Sequence, residues 1–352
     1  MENIITKIIE KIKIKFINKN NLPQNYVLEE MPPILTTTTP EENITEEEMN
    51  IDSLLEEDYS DNIEKFIEVL TTHFSPEDLT RFYNNMDSID IKIISKKRFQ
   101  QVSQNQPNTK KNLGEYYPTC NSMLLVEEDY NKVIYHKLFH VASSNFDMEN
   151  RVSFLGFSQS RLEGGTNVGE PLNEGYTELM TNRYFFPSTE SKYYKYEVRV
   201  ASQIEEIVGQ EKMEKLYLNA NLYGLIKELE KYASSDNIKI FLDNLEYVYS
   251  NYNKSELHHS VRRNIYNIIE EIETFLYETK LNKIYITNQS LHTKEEYMQE
   301  FLTQKDTISK IVIEKPNGTY IIDYDKITAV VLEKYKNSLL LANAPVLKLS
   351  KN

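Results

Sequence analysis

Apolar and polar positions change their period several times along this chain. Residues 4–16 place Ile4, Ile5, Ile8, Ile9, Ile12 and Phe16 at helical spacing, with Lys7, Lys11 and Lys15 between them. Residues 31–50, "MPPILTTTTPEENITEEEMN", are rich in Pro, Thr and Glu and show no period, the pattern of a solvated linker. The acidic run continues through Glu56, Glu57 and Asp58. From about residue 60 the period becomes helical in "DNIEKFIEVLTTHF" and again in "SPEDLTRFYNNM", where Ser75 caps and Pro76 takes the first turn. "SIDIKIIS" alternates as a strand does, and "NSMLLVEED" reads as a second strand leading into a helix over about 129–144.

A loop containing Gly164, Gly165 and Gly169 precedes a helix through "PLNEGYTELMTNRYF". Four more helices are predicted: "KYEVRVASQIEEIVG", "EKMEKLYLNANLYGLIKELEKYA", "DNIKIFLDNLEYVYS" and "RRNIYNIIEEIETFLYE". Beyond about residue 283 the texture changes, and "KIVIEKPNGTYIIDY" reads as a hairpin turning at Pro316-Asn317-Gly318. The predicted class is α+β, predominantly helical. It divides into an N-terminal amphipathic segment with an acidic linker (1–50), a main domain (51–282), and a C-terminal extension with a β-hairpin (283–352).

Composition narrows the function classes. The 352 residues are 40% apolar, with 25 Tyr and 14 Phe, so the chain can bury a substantial core. A formal net charge of −14 with dispersed Lys and Arg argues against a nucleic-acid partner. The single cysteine, Cys120, excludes an intramolecular disulfide and suits a reducing compartment. The first residues lack the continuous apolar core of a signal peptide, and no apolar run is long enough to span a membrane. These features predict a cytoplasmic protein. The basic helix at 4–16 is of a kind that can lie on a membrane surface, docking on its own domain being the commoner outcome.

Chemistry concentrates in two stretches. In "YHKLFHVASS", His136 and His140 lie one helical turn apart, about 40° around the axis, with Lys137 about 60° further on. Val133, Ile134, Leu138, Phe139 and Val141 supply apolar flanks that bury this helix. Two stacked imidazoles inside a protein need a partner, and a metal ion would be one. The second stretch, Asn173-Glu174-Gly175-Tyr176-Thr177-Glu178, begins 33 residues after His140 and puts Glu174 and Glu178 one turn apart on one face. Glu174 would complete a two-histidine, one-carboxylate zinc site with an open position. Glu178 would accept a hydrogen bond from a ligand histidine and fix its tautomer.

The two motifs together resemble those of the gluzincin zinc metallopeptidases, the thermolysin-like class. That class pairs His-Glu-x-x-His on one helix with Asn-Glu-x-x-x-(Asp/Glu) on the next. More narrowly, "HKLFHVASS" with "LNEGYTELMTNRYF" is similar to a bacterial branch reading His-Glu-Leu-Phe-His and Asn-Glu-Gly-Tyr-Thr-Glu. The resemblance covers roughly residues 85–190, with the helices to 280 as a further extent. It implies a zincin-like domain over 51–282, in which a small sheet with "NSMLLVEED" as its edge strand is followed by a helical lobe. It also implies zinc as cofactor and a peptide or protein in the active-site cleft. His258 and His259 fall where such enzymes place an oxyanion-stabilising histidine, and Tyr176 and Tyr184 are candidates to hydrogen-bond substrate. His73, His292 and Cys120 read as structural.

The departure is Lys137. The family has a glutamate there, the general base that takes a proton from the attacking water and passes it to the leaving amine. An ammonium cannot accept that proton at neutral pH, and it repels a dication sharing its pocket. Three states therefore stand apart: metal bound with activity, metal bound without it, and no metal with Lys137 paired to Glu174 or Glu178. The leading expectation is a metallopeptidase-like pseudoenzyme, impaired as a hydrolase but able to bind metal or peptide. An active zinc peptidase with another base is the second reading, and a helical interaction protein without metal is the third.

Overall fold

Long helices joined by short strands make up most of the molecule. The computed structural model describes residues 46–102, 113–128, 130–161, 167–187, 194–252, 259–288, 312–315, 318–321 and 333. The predicted amphipathic segment at 4–16, most of the predicted linker, and Gly164, Gly165, His258 and His292 lie outside these residues. The chain divides into two compact units, residues 1–146 and 147–352.

In the first unit, α1 (Glu46–His73) and α2 (Thr80–Ser88) are followed by β1 (Asp90–Ile94), α3 (Lys96–Val102), β2 (Gly114–Tyr117), β3 (Ser122–Val126) and α4 (Tyr130–Ala142). Helix α1 starts well before residue 60, because the glutamates read as linker also suit the positive end of a helix. Ser75 does cap a turn, its Oγ accepting the Asp78 N–H at 3.3 Å, but the regular helix begins at Thr80. Strand β3 runs parallel to β1 (Asp90 opposite Ser122, Ile94 opposite Val126) and antiparallel to β2 (Gly114 opposite Leu125). The strand that leads into the histidine helix, expected at an edge, is thus the central strand of this sheet.

Helix α4 packs on β2, β3, α1 and α2. Its Ile134, Leu138, Phe139, Val141 and Ala142 are buried, as the apolar pattern predicts. Phe66 of α1 is the hub of this core, with ring centroids 5.0 Å from Phe139 and 5.5 Å from Phe82. A polar clasp holds the end of α4. Asn85 Nδ2 donates to the carbonyls of Val141 (2.8 Å) and Ser144 (3.1 Å). Asn121, in the left-handed region at φ 47°, donates to the Asn85 carbonyl at 2.7 Å. Tyr116 then bridges Asn121 Oδ1 and Ser144 Oγ. The orphan carbonyls of the last turn of α4 are met by side chains, which fixes the turn that carries His140.

Strand β4 (Ser144–Asp147) spans the unit boundary. In the second unit, β5 (Val152–Leu155) and β6 (Ser158–Arg161) form an antiparallel hairpin that periodicity did not predict. Six helices follow: α5 (Glu170–Phe185), α6 (Lys195–Val208), α7 (Gln210–Leu218), α8 (Leu222–Leu229), α9 (Ser235–Tyr252) and α10 (His259–Asn288). The stretch predicted as one helix over 211–233 is two, α7 and α8. Ala220 takes φ 48°, and the Asn221 side chain accepts the Gly224 N–H at 2.7 Å to start a new helix. Phe157, Tyr176 and Tyr217 meet in a cluster with centroids 5.3–5.5 Å apart. An ion pair between half-buried Arg199, through Nη2, and buried Glu273 at 3.1 Å ties α6 to α10. Strands β7 (Val312–Lys315) and β8 (Gly318–Ile321) pair antiparallel, and Pro316 and Asn317 between them lie outside the described residues. The architecture is α+β and mostly helical. Among the described residues no helix is long and apolar enough to cross a membrane.

The clasp yields a measurable expectation. Asn85→Ala removes the amide that meets the Val141 carbonyl of α4 and the Ser144 carbonyl just beyond it, and should lower unfolding free energy by about 1–3 kcal/mol, read by denaturant titration. An unchanged midpoint would show that the clasp is dispensable.

Candidate metal centre

The histidine helix forms as its pattern dictates, with two apolar flanks and a polar seam between them. His136 and His140 occupy that seam and are both buried, their ring centroids 4.8 Å apart and nearly perpendicular. Lys137 is half-buried, and among the described residues it forms no hydrogen bond or ion pair. The pairing with Glu174 or Glu178 that belongs to the metal-free state is not present among the described residues.

Helix α5 begins after Gly169, which takes φ 82°, with Pro171 in its first turn. From Pro171 to Glu178 every residue is buried, so each polar group there needs a partner inside the protein. Asn173 Oδ1 accepts the Phe157 N–H at 3.2 Å and fills the space where a side chain on Gly156 would stand. Thr177 donates to the Asn173 carbonyl at 2.7 Å and meets the Tyr217 hydroxyl at 2.6 Å. Gly175 faces α6: a Cβ there would lie 2.3 Å from the Glu197 carbonyl. Asn173 and Gly175 thus each have a local task, which is why two poor helix formers stand in the first turns of this helix.

The decisive geometry is the convergence of ligand atoms. One ring nitrogen each from His136 and His140 and a carboxylate oxygen of Glu174 all lie within 4.8 Å of one another, and all three residues are buried. Two imidazoles and a carboxylate at that separation are a donor set that fits a divalent cation. The triad can hold a metal ion, and its borderline nitrogen and hard oxygen donors suit several first-row metals. Glu178, one turn after Glu174, is buried as well.

Carboxylates gather around Glu174 within the second unit. Burial, opposed by a backbone hydrogen bond and aided by the charge of Glu174, raises Glu197 to about 7. Burial and then the charge of Glu170 raise Glu246 to about 7. Glu246 Oε1 accepts the Glu170 N–H at 3.0 Å, capping α5 from α9. Tyr194 hydrogen-bonds to Glu174. Its hydroxyl is raised well above the ordinary tyrosine value by burial first and the Glu174 charge next. Tyr249 is raised by burial and then by Glu174, Glu170, Glu197 and Glu246. None of Tyr194, Glu197, Glu246 and Tyr249 stood out in the sequence, since they come from other helices and share no spacing with the motif.

The tyrosines considered for substrate binding are engaged elsewhere. Tyr176 is fully buried and donates to Glu205 at 2.8 Å, and Tyr184 donates to Glu214 at 2.7 Å. Arg183 joins the two carboxylates, bonding Glu205 and, at 2.8 Å, Glu214. His259 opens α10, and its side chain is outside what is described. His73 ends α1, and Cys120 is an exposed free thiol. Compared with protein-family models, with curated proteins and with solved structures, the chain matches none.

The raised carboxyl of Glu246 sets a pH dependence. The folded chain holds this proton more tightly than the unfolded chain does, so the contribution to stability is present at low pH. It is lost as pH rises from the ordinary carboxyl range through about 7. Glu246→Gln, which mimics the protonated form, should therefore gain stability relative to wild type as pH goes from 5 to 8. Thermal unfolding at each pH measures this, and a pH-independent difference would contradict it.

Proposed function

We propose that this chain is a gluzincin-like metallopeptidase scaffold whose zinc site is held by His136, His140 and Glu174 and whose general base has been replaced by Lys137. The observation that carries the reading is the buried triad, with three ligand atoms mutually within 4.8 Å. Its supports are the two motifs in the order and on the two helices that the resemblance implies. The central place of β3 is a departure from the edge strand that the resemblance implies. A zinc ion in such a site acts as a Lewis acid toward a peptide carbonyl and toward water.

The chain's own residues then define what is kept and what is lost. His136, His140 and Glu174 bind the ion, and Glu178 stands one turn from Glu174 to orient a ligand. Lys137 stands where a carboxylate would remove a proton from the attacking water, and a charged ammonium has no lone pair for that step. Peptide binding without turnover is the activity that remains. The exposed free Cys120 thiol fits the cytoplasmic location that accompanies this reading.

Two assays on untagged protein test the proposal. Wild type should carry about one equivalent of zinc at neutral pH, and His136→Ala should carry none. Affinity should fall as the pH is lowered, because the ligand imidazoles must be neutral. Peptidase activity should be absent in wild type and appear in Lys137→Glu, a rise of at least ~10²-fold for restoring a general base. Equal activity in both proteins would favour an active enzyme with another base. Absence of metal from the wild type would favour the interaction-protein reading.

A further inference from the structure

Tyr194 breaks two local rules at once. It is the N-cap residue of α6, a position that favours Ser, Thr, Asp or Asn, and it makes no side-chain cap. It also sits in the left-handed region, at φ 54° and ψ 33°, where glycine or asparagine is the ordinary choice. Its carbonyl accepts the Val198 N–H at 2.8 Å, so the first turn of α6 locks this backbone in place. A bulky residue in that conformation is kept for something its side chain does.

The side chain reaches Glu174, with which its hydroxyl is hydrogen-bonded. The reach depends on Gly175. The first turn of α6 comes so near α5 that a Cβ on Gly175 would meet the Glu197 carbonyl carbon and oxygen at 2.3 Å and the Glu197 Cβ at 2.9 Å. Glu197 is three residues after Tyr194, so the close approach brings the tyrosine alongside the turn that carries Glu174. A residue larger than glycine would hold the start of α6 away, and the hydroxyl would lose its acceptor.

We infer that Tyr194 is a positioning residue for Glu174: its hydroxyl donates to the carboxylate and holds it in one orientation, and Gly175 is the gap that lets it do so. A carboxylate has two oxygens and a rotatable stem. A donor fixed on one side leaves the other oxygen aimed and lowers the ordering needed when an ion arrives. The consequence for metal binding rests on the proposed zinc site.

The test uses the full chain. Zinc affinity is measured by chelator competition for wild type, Tyr194→Phe and Tyr194→Gly, with melting temperatures taken with and without zinc. Tyr194→Phe keeps the ring and should bind zinc about 10–100-fold more weakly. The rise in melting temperature on adding zinc should shrink, and the visible spectrum of the cobalt(II) form should shift, which a merely structural tyrosine would not cause. Tyr194→Gly suits the backbone but has no hydroxyl. It should lose the same affinity and so serves if the Phe variant folds poorly. Zinc affinity within about twofold of wild type in either folded variant would overturn the positioning role while leaving the zinc site standing. No zinc binding by wild type itself would overturn both.

Discussion

Helix α5 is buried from Pro171 to Glu178, and that burial constrains everything around it. A helix start normally exposes its free N–H groups and its polar side chains to water. Here they must be met from within. Glu246 accepts the Glu170 N–H, Asn173 takes the Phe157 N–H in the β5–β6 turn, and Tyr217 meets Thr177. Gly175 exists to let α6 approach, and the approach brings Tyr194 to Glu174. The Glu174 carboxylate is thereby met by a hydroxyl from the start of α6.

The charge balance around Glu174 points the same way. Glu197 and Glu246 are both pushed to about 7, and Glu170 is raised as well, by burial first and by neighbouring carboxylates after it. Such a cluster favours protons or a cation as company. On the proposed reading, Lys137 takes the place of the proton acceptor that the family's reaction uses. The proposed scaffold would keep its ligands, exchange its base, and so bind without turnover.

How much of this was legible in the sequence depends on what each feature depends on. Helical periods were read correctly wherever one apolar face met one core, as in α4 with Ile134, Leu138 and Val141. The buried triad that could hold a metal was legible because His136 and His140 recur at turn spacing in α4 and Glu174 stands one turn before Glu178 in α5. The break between α7 and α8 was missed because Asn219-Ala220-Asn221 interrupts an apolar period that continues on both sides. The β5–β6 hairpin was missed because its strands have four residues each, too short for alternation to register. Tyr194 could have been found only by its neighbours in space. Its sequence context, at a helix start with no capping side chain, carries no signal.

The central claim is that two imidazoles and one carboxylate, buried together, form a metal centre. X-ray absorption at the zinc edge of the zinc-loaded chain tests it most directly. The account predicts a low-coordinate shell of nitrogen and oxygen at about 2.0–2.1 Å, with the outer-shell scattering of two imidazole rings that drops out in His140→Ala. A shell of oxygen alone without imidazole scattering, unchanged by that substitution, would contradict it.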